Sequence, residues 1–374
     1  WEEFNVRYNF IAVDYLIYTT EVIGNIKESY NMPLILGAVL ISAVAVVFLI
    51  RKKLTDSRQM IMRFGRRTGY FLVVLLLATA GYFLVNNRVK NFSNNNYVNE
   101  LAGNGIYEFG AAFWHNEIDY SLFYRTADNK KNFQILKNQL QQSNAVFNGD
   151  TISVERKITA DSAERKWNIV LISVESLSGD YLNYFGGKNN ITPYMDSLIP
   201  HSLFFSNFYA TGTRTVRGLE ALSLAIPPTP GQSIVRRPNN EDMFTMGNLL
   251  KTKGYEVRYV YGGNSFFDNM GYFFSNNGYK VLDQRDIPEK IVHHKTAWGV
   301  ADEDAFTMMM DECDKSFTAG RPFFNQLMTV SNHRPYTYPG GRSDIPGNAK
   351  SSDGSVKYTD YCINKFIKDA LNKP

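Results

Sequence analysis

The stretch Trp167–Gly179, WNIVLISVESLSG, decides the fold class of this chain. Six of the seven residues from Ile169 to Glu175 are apolar or small, and a carboxylate then appears with Ser and Gly around it. An unbroken apolar run of this length, closed by polar and flexible residues, is the pattern of a strand buried on both faces of a parallel sheet. Ligands of open α/β sheets sit outside the carboxyl ends of the strands. Glu175 lies at such an end, so it is a candidate metal ligand or acid–base group; the alternative is a carboxylate that caps the following helix.

Other segments extend the pattern. Leu203–Tyr209 (LFFSNFY) reads as a second strand, followed by the polar run Ala210–Thr215. A helix is expected from about Val216, with Leu219, Leu222 and Leu224 as its apolar side, stopped by Pro227 and Pro228. Thr215 then sits at a helix N-terminus, where free N–H groups and the helix dipole favour an anion. Glu256–Tyr261 (EVRYVY) and Phe323–Val330 (FFNQLMTV) read as a third and a fourth strand, ending in Gly262-Gly263-Asn264 and Ser331-Asn332-His333. Helical patterns lie between them, at Met243–Lys253 and Asp302–Cys313. Strands alternating with helices imply a mostly parallel α/β sheet with helices on both faces. Glu175, Thr215, Asn264 and His333 would then share one rim.

With these motifs in order, the chain from Asn168 onward resembles the catalytic domain of the lipoteichoic acid synthase family, membrane-bound relatives of sulfatases and alkaline phosphatases. The pieces that carry the resemblance are NIVLISVES, FYATGTRTVRGLEALSLAIPP, GGNSFFDNMGYFF and MTVSNHRPY. The resemblance implies a two-step transfer at a divalent metal, Mn²⁺ or Mg²⁺, moving a phosphoglycerol-type group from a phospholipid head group to a glycan, polymer or lipid acceptor. It assigns Glu175 as a metal ligand, Thr215 as nucleophile and metal ligand, and His333 as a contact to the substrate head group. Metal coordination is one of the standard ways to activate a neutral hydroxyl, and a cation offsets charge on phosphoryl oxygens. Thr211 and Thr213 are close neighbours, and the resemblance favours Thr215, whose spacing to the helix and to Ile226-Pro227 fits the family better. Asn264 and Asn269 are carried along as substrate-binding candidates. In lipoteichoic acid synthases proper, the motif after the third strand carries a Trp and an Arg. Here it reads Ser265-Phe266-Phe267-Asp268-Asn269, which removes a bidentate phosphate contact. Arg214 or Arg217 could replace that charge, or either could be a solvated surface residue. The Cys/Ser-x-Pro-x-Arg motif of sulfatases proper does not occur, which counts against sulfate ester hydrolysis. Phosphoethanolamine transfer, sulfatase or phosphatase hydrolysis, and a catalytically idle membrane module are the remaining readings.

The front of the chain suits a membrane enzyme. Pro33–Ile50 and Gly69–Val85 carry no charge, and at about 1.5 Å per residue each reaches roughly 26 Å, enough to cross the hydrocarbon core. Between them, Arg51–Thr68 holds seven Lys or Arg and one Asp, a net +6, and the positive-inside rule makes it a cytoplasmic loop. Everything after Val85 is then expected outside the cytoplasm of a bacterial inner membrane. Since the whole chain is +4, the rest is −2; the basic balance reflects topology and gives no support for nucleic-acid binding. Residues 1–32 are amphipathic and are expected at the outer membrane surface or re-entering it partway. No initiator Met opens the chain, and the reading is that it begins mid-protein.

Three regions follow: 1–85 in the membrane, 86–165 as a juxtamembrane helical linker, and 166–374 as the sulfatase-like domain. In the linker, Asn86–Asn104 reads as a turn-laden exit, and Tyr107–Tyr124 and Asn132–Gln142 read as helices. Trp114 and Tyr120 suit either the membrane interface or helix packing. Cys313 and Cys362 read as free buried thiols, whose spacing excludes a Cys-based metal site. His293 and His294, beside Lys290 and Lys295, read as solvated; His115 and His201 show no partner. Ser343–Ser355 is a Gly/Ser-rich surface loop bordering His333. The resemblance further implies an Asp-His pair and another His as metal ligands, expected beyond Pro374.

Overall fold

A computed structural model describes residues 13, 16, 18–59, 62–114, 127–229 and 231–374. The chain forms two compact units, Trp1–Asn116 and Glu117–Pro374. His115 and Tyr120, and most of the stretch before Thr19, lie outside the described residues.

The first unit is helical: α1 (Thr19–Ser29), α2 (Met32–Gln59), α3 (Phe64–Leu84), α4 (Asn96–Ala102) and α5 (Gly105–Trp114). Met32–Lys52 and Phe64–Leu84 have mean hydropathies of 2.8 and 1.5, and neither is buried within the protein. Both are long and apolar enough to cross a membrane. Much of the basic stretch 51–68 is helical, with α2 running through Gln59 and α3 starting at Phe64, in keeping with Arg, Lys and Gln being good helix formers. The asparagines of 86–104 start helices as well as turns. The Asn95 side chain accepts from the Tyr97 amide at 2.9 Å, and that of Asn104 accepts from the Ile106 amide at 3.0 Å. Asparagine caps satisfy amides that a helix start leaves unpaired.

Among its described residues the second unit has first α6 (Asn129–Leu140), close to the expected helix, and then an unforeseen two-stranded ladder, β1 (Ala145–Phe147) with β2 (Arg156–Ile158). The remainder builds one four-stranded sheet. Its elements are β3 (Ile169–Ser173), α7 (Pro193–Leu198), α8 (Thr215–Leu224), α9 (Met246–Thr252), β4 (Glu256–Tyr261), α10 (Met270–Ser275), β5 (Lys280–Leu282), the β6–β7 ladder (Lys295–Thr296 with Gly299–Val300), α11 (Asp302–Thr318), β8 (Phe323–Met328) and α12 (Ser352–Leu371). Sheet order is β3-β8-β4-β5, and every pairing is parallel.

Central β8 is buried at all six positions. Phe323 and Leu327 join Val260, Ala305, Met309 and Phe366 on the face covered by α11 and α12. Phe324 and Met328 join Tyr259, Phe273, Phe274, Val216 and Leu219 on the face covered by α8 and α10. Tyr259 stacks on Phe274 with ring centroids 3.7 Å apart. Both faces therefore carry a core, as the continuous apolar runs require. Cys313 and Cys362 are free and buried, and burial pushes the Cys313 thiol up to about 11.

One expected strand is missing. Leu203–Tyr209 is irregular, and Leu203, Phe208 and Tyr209 are 84%, 76% and 79% exposed. Strand propensity reports how well side chains fit a pleated, half-buried surface, and this segment pairs with none of the four strands of the sheet. Conversely, β5 is only three residues long, too short to show a period.

Candidate active site

The end of β3 and the start of α8 meet. The Thr215 hydroxyl donates to Glu175 Oε1 at 2.8 Å, and His333 Nε2 lies 3.9 Å from the same oxygen. Ser176, with φ 54°, turns the chain sharply just past Glu175. Such a backbone costs a non-glycine residue on the order of 1–3 kcal/mol and persists only where its surroundings over-determine it. The surroundings do so here: the Glu175 amide donates to Thr329 Oγ1 at 2.9 Å, and its carbonyl accepts from Asn332 Nδ2 at 2.8 Å. Thr215 is the first residue of α8, behind Arg214 in extended conformation. The first amides of a helix have no partner within it and favour an anion.

His333 follows β8, and its ring stacks on Trp298 with centroids 4.5 Å apart and planes 20° apart. Trp298 Nε1 donates to the Arg334 carbonyl at 2.8 Å, and Phe267 packs edge-on against Trp298. The stack fixes the imidazole plane while leaving the side chain 27% exposed. Sequence reasoning passed over Trp298 because nothing in its local stretch marks the ring it meets 35 positions away.

Three other candidates serve the backbone. Arg217 points to Glu220 at 2.8 Å and to the Thr229 carbonyl at 2.8 Å, and also donates to the Gly231 carbonyl. Its charge offsets the fully buried Glu220 carboxylate, and its side chain is only 17% exposed, so it is not a solvated surface residue. The Asn264 side chain accepts from the Phe266 amide at 3.1 Å, a turn of its own making. Asn269, with φ 60°, donates to the Val235 carbonyl at 2.9 Å. His293 and His294 are likewise held. His293 Nδ1 lies 2.6 Å from Asp304 Oδ1, a bond that raises the imidazole pKa, and His294 Nε2 lies 3.0 Å from Thr337 Oγ1. The β6–β7 ladder that brings them there is invisible in a charged stretch of sequence.

Glu175 and Thr215 present oxygen donors side by side, with an imidazole nitrogen nearby. That donor set fits a divalent cation of the Mg²⁺ or Mn²⁺ type. Among the described residues no three His, Cys, Asp or Glu side chains gather at one point, and Glu175 and Thr215 alone are fewer donors than such a cation takes.

The Sulfatase family model matches residues 167–374. Phosphoglycerol transferase I of Xanthomonas euvesicatoria pv. vesicatoria (strain 85-10) is 27% identical over 201 residues, covering 50% of this chain and 28% of that protein. Lipoteichoic acid synthase 2 of Bacillus subtilis (strain 168) is 22% identical over 227 residues, covering 58% of this chain and 34% of that protein. The chain thus spans about a third of the length of such curated relatives. A protein in the alkaline phosphatase superfamily from Vibrio parahaemolyticus superposes with TM-score 0.63 at 30% identity, over 68% of this chain and 62% of that one. In fold alone, 99% of this chain follows 64% of the integral membrane lipooligosaccharide phosphoethanolamine transferase A of Neisseria meningitidis, with TM-score 0.59 at 14% identity. The family match spans the whole parallel sheet and the rim where Glu175 meets Thr215, and the chain belongs to the sulfatase family.

Proposed function

We propose that this protein is a metal-dependent transferase of the bacterial inner membrane. It moves a phosphoglycerol-type group from a phospholipid head group to an acceptor alcohol, with the sulfatase-family domain outside the cytoplasm. The observation that supports this reading is the 2.8 Å bond from the Thr215 hydroxyl to Glu175 Oε1 at the N-terminus of α8. The names of the relatives, phosphoglycerol transferase I and lipoteichoic acid synthase 2, support the same class of chemistry.

Glu175 and Thr215 would hold the divalent cation. When bound, it would make the hydroxyl more acidic and offset phosphoryl charge. The chain's own residues do the rest. The Thr215 proton points at Glu175, which leaves lone pairs of the oxygen free to face phosphorus. In the first half-reaction an O–P bond forms to Thr215 and the bond from phosphorus to the lipid alcohol breaks. In the second, the acceptor oxygen attacks the phosphothreonine and Thr215 is released. Overall, the acceptor's hydroxyl proton ends on the departing lipid alcohol. The first amides of α8 face the anionic group, and His333, held flat against Trp298, contacts the head group.

Membranes containing the protein, given lipids labelled in the head group, should pass labelled phosphoglycerol to an acceptor. Transfer of phosphoethanolamine in its place, or release of free phosphate, would overturn the donor assignment. A reporter fused after Arg88 should be active only outside the cytoplasm; activity inside would place the site on the wrong side for this reading.

A further inference from the structure

Both backbone polar groups of Glu175 are held by side chains, and both side chains come from the segment after β8. Thr329 takes the amide and Asn332 the carbonyl, from 154 and 157 positions away. Thr329 is fully buried and Asn332 is 4% exposed. The Thr329 amide in turn donates to the Ser173 carbonyl at 3.1 Å, so the clamp grips β3 on both sides of its end.

Behind the clamp stands a buried carboxylate that the reaction does not use. Asp302, the first residue of α11, is 0% exposed, and its Oδ1 accepts from the Val330 and Ser331 amides at 2.7 and 3.1 Å. Its Oδ2 accepts from the Thr359 hydroxyl at 2.6 Å, and that hydroxyl also lies 3.3 Å from Asn332 Oδ1. Burying a carboxylate is costly unless its lone pairs are satisfied, and here three donors from β8's exit and α12 do so. The one hydroxyl proton of Thr359 goes to Asp302, so what reaches the rim is the segment after β8, which Asp302 holds by two amides and from which Asn332 grips Glu175.

We propose that Asn332 is a positioning residue for Glu175, and that Asp302, by holding the Val330 and Ser331 amides, fixes the segment that carries Asn332. Glu175 stands beside a strained Ser176, so its carboxylate reaches Thr215 only while the carbonyl behind it is anchored. The inference rests on the reading of Glu175 as a metal ligand. Groups that orient a ligand typically change metal affinity by about 10–100-fold when removed.

The test uses the purified membrane protein and Mn²⁺ alone, with bound ion read by loss of the free-ion spin-resonance signal. Asn332→Ala should weaken Mn²⁺ binding about tenfold or more and lower kcat with KM for lipid unchanged. In metal-free protein it should speed amide exchange in the peptide around Ser173–Ser176 and leave α11 and α12 as protected as before. Asn332→Gln, which keeps the amide donor, should recover part of the affinity. On a Glu175→Gln background, Asn332→Ala should have little further effect, since coupled residues are not additive. Unchanged Mn²⁺ affinity and unchanged exchange in Asn332→Ala would overturn the inference, as would full additivity. If Glu175→Gln itself binds Mn²⁺ like the wild type, the reading of the site fails first, and the two failures are told apart.

Discussion

Two parts of the same rim use similar residues for opposite ends. At β3, α8 and the exit of β8, the side chains of Glu175, Thr215 and His333 converge on one carboxylate oxygen. After β4 and along α8's inner side, Asn264, Asn269 and Arg217 turn back on the protein's own backbone. The difference lies in what holds the backbone. Glu175 is anchored through its main chain by distant side chains, which frees its carboxylate. In the Asn264–Asn269 loop, one asparagine side chain closes its own turn and the other ties the loop to the Val235 carbonyl. A polar residue near a strand end is therefore available for chemistry only when something else satisfies the local backbone.

The sharpest way to break this contrast is to delete groups on each side. On the converging side, Thr215→Ala should reduce lipid turnover by about a thousandfold or more, as expected for a nucleophile, with the fold intact. Thr215→Ser should keep part of the activity, and Thr211→Ala and Thr213→Ala should be mild. Glu175→Gln should cost about 3 kcal/mol of transition-state stabilisation, a loss on the order of a hundredfold in rate, with more added metal needed to reach its full activity. If Thr213→Ala were dead and Thr215→Ala active, the wrong threonine would have been assigned.

On the self-bonded side the effect should fall on stability. Arg217→Met strips the guanidinium from the buried Glu220 and from two carbonyls. Breaking a buried pair in this way costs roughly 3 kcal/mol, part of it recovered because Glu220 keeps its bonds from Ser233 and the Ile234 amide. Denaturant unfolding should show that loss, with turnover per folded molecule close to wild type. A variant as stable as wild type but inactive would move Arg217 back to the substrate side.

Much of the layout was legible in the residues. EVRYVY is β4 to the residue, and FFNQLM is β8: aromatic and β-branched residues closed by turn residues mark them as strands, although Arg258, Asn325 and Gln326 interrupt the apolar run and are buried all the same. Leu203–Tyr209 has the same composition and is no strand here, since pairing is a property of neighbours and not of a segment. Glu175, Thr215 and His333 could be placed together because each ends or begins an element. Arg217 could not be judged, as its partners lie 12 and 14 residues on, in a Pro/Gly-rich loop without periodicity. Trp298 and Asn332 were hidden for the same reason: their roles are contacts across 35 and 157 positions.

The central claim is that Thr215 carries the phosphoryl group between donor and acceptor. Mixing the protein with labelled lipid donor in the absence of acceptor, quenching in acid and mapping the label by peptide mass spectrometry tests it directly. The account predicts a phosphoglycerol adduct on the peptide containing Thr215, absent in Thr215→Ala. An adduct on Thr211 or Thr213, or turnover with no covalent adduct under any quench, would contradict it.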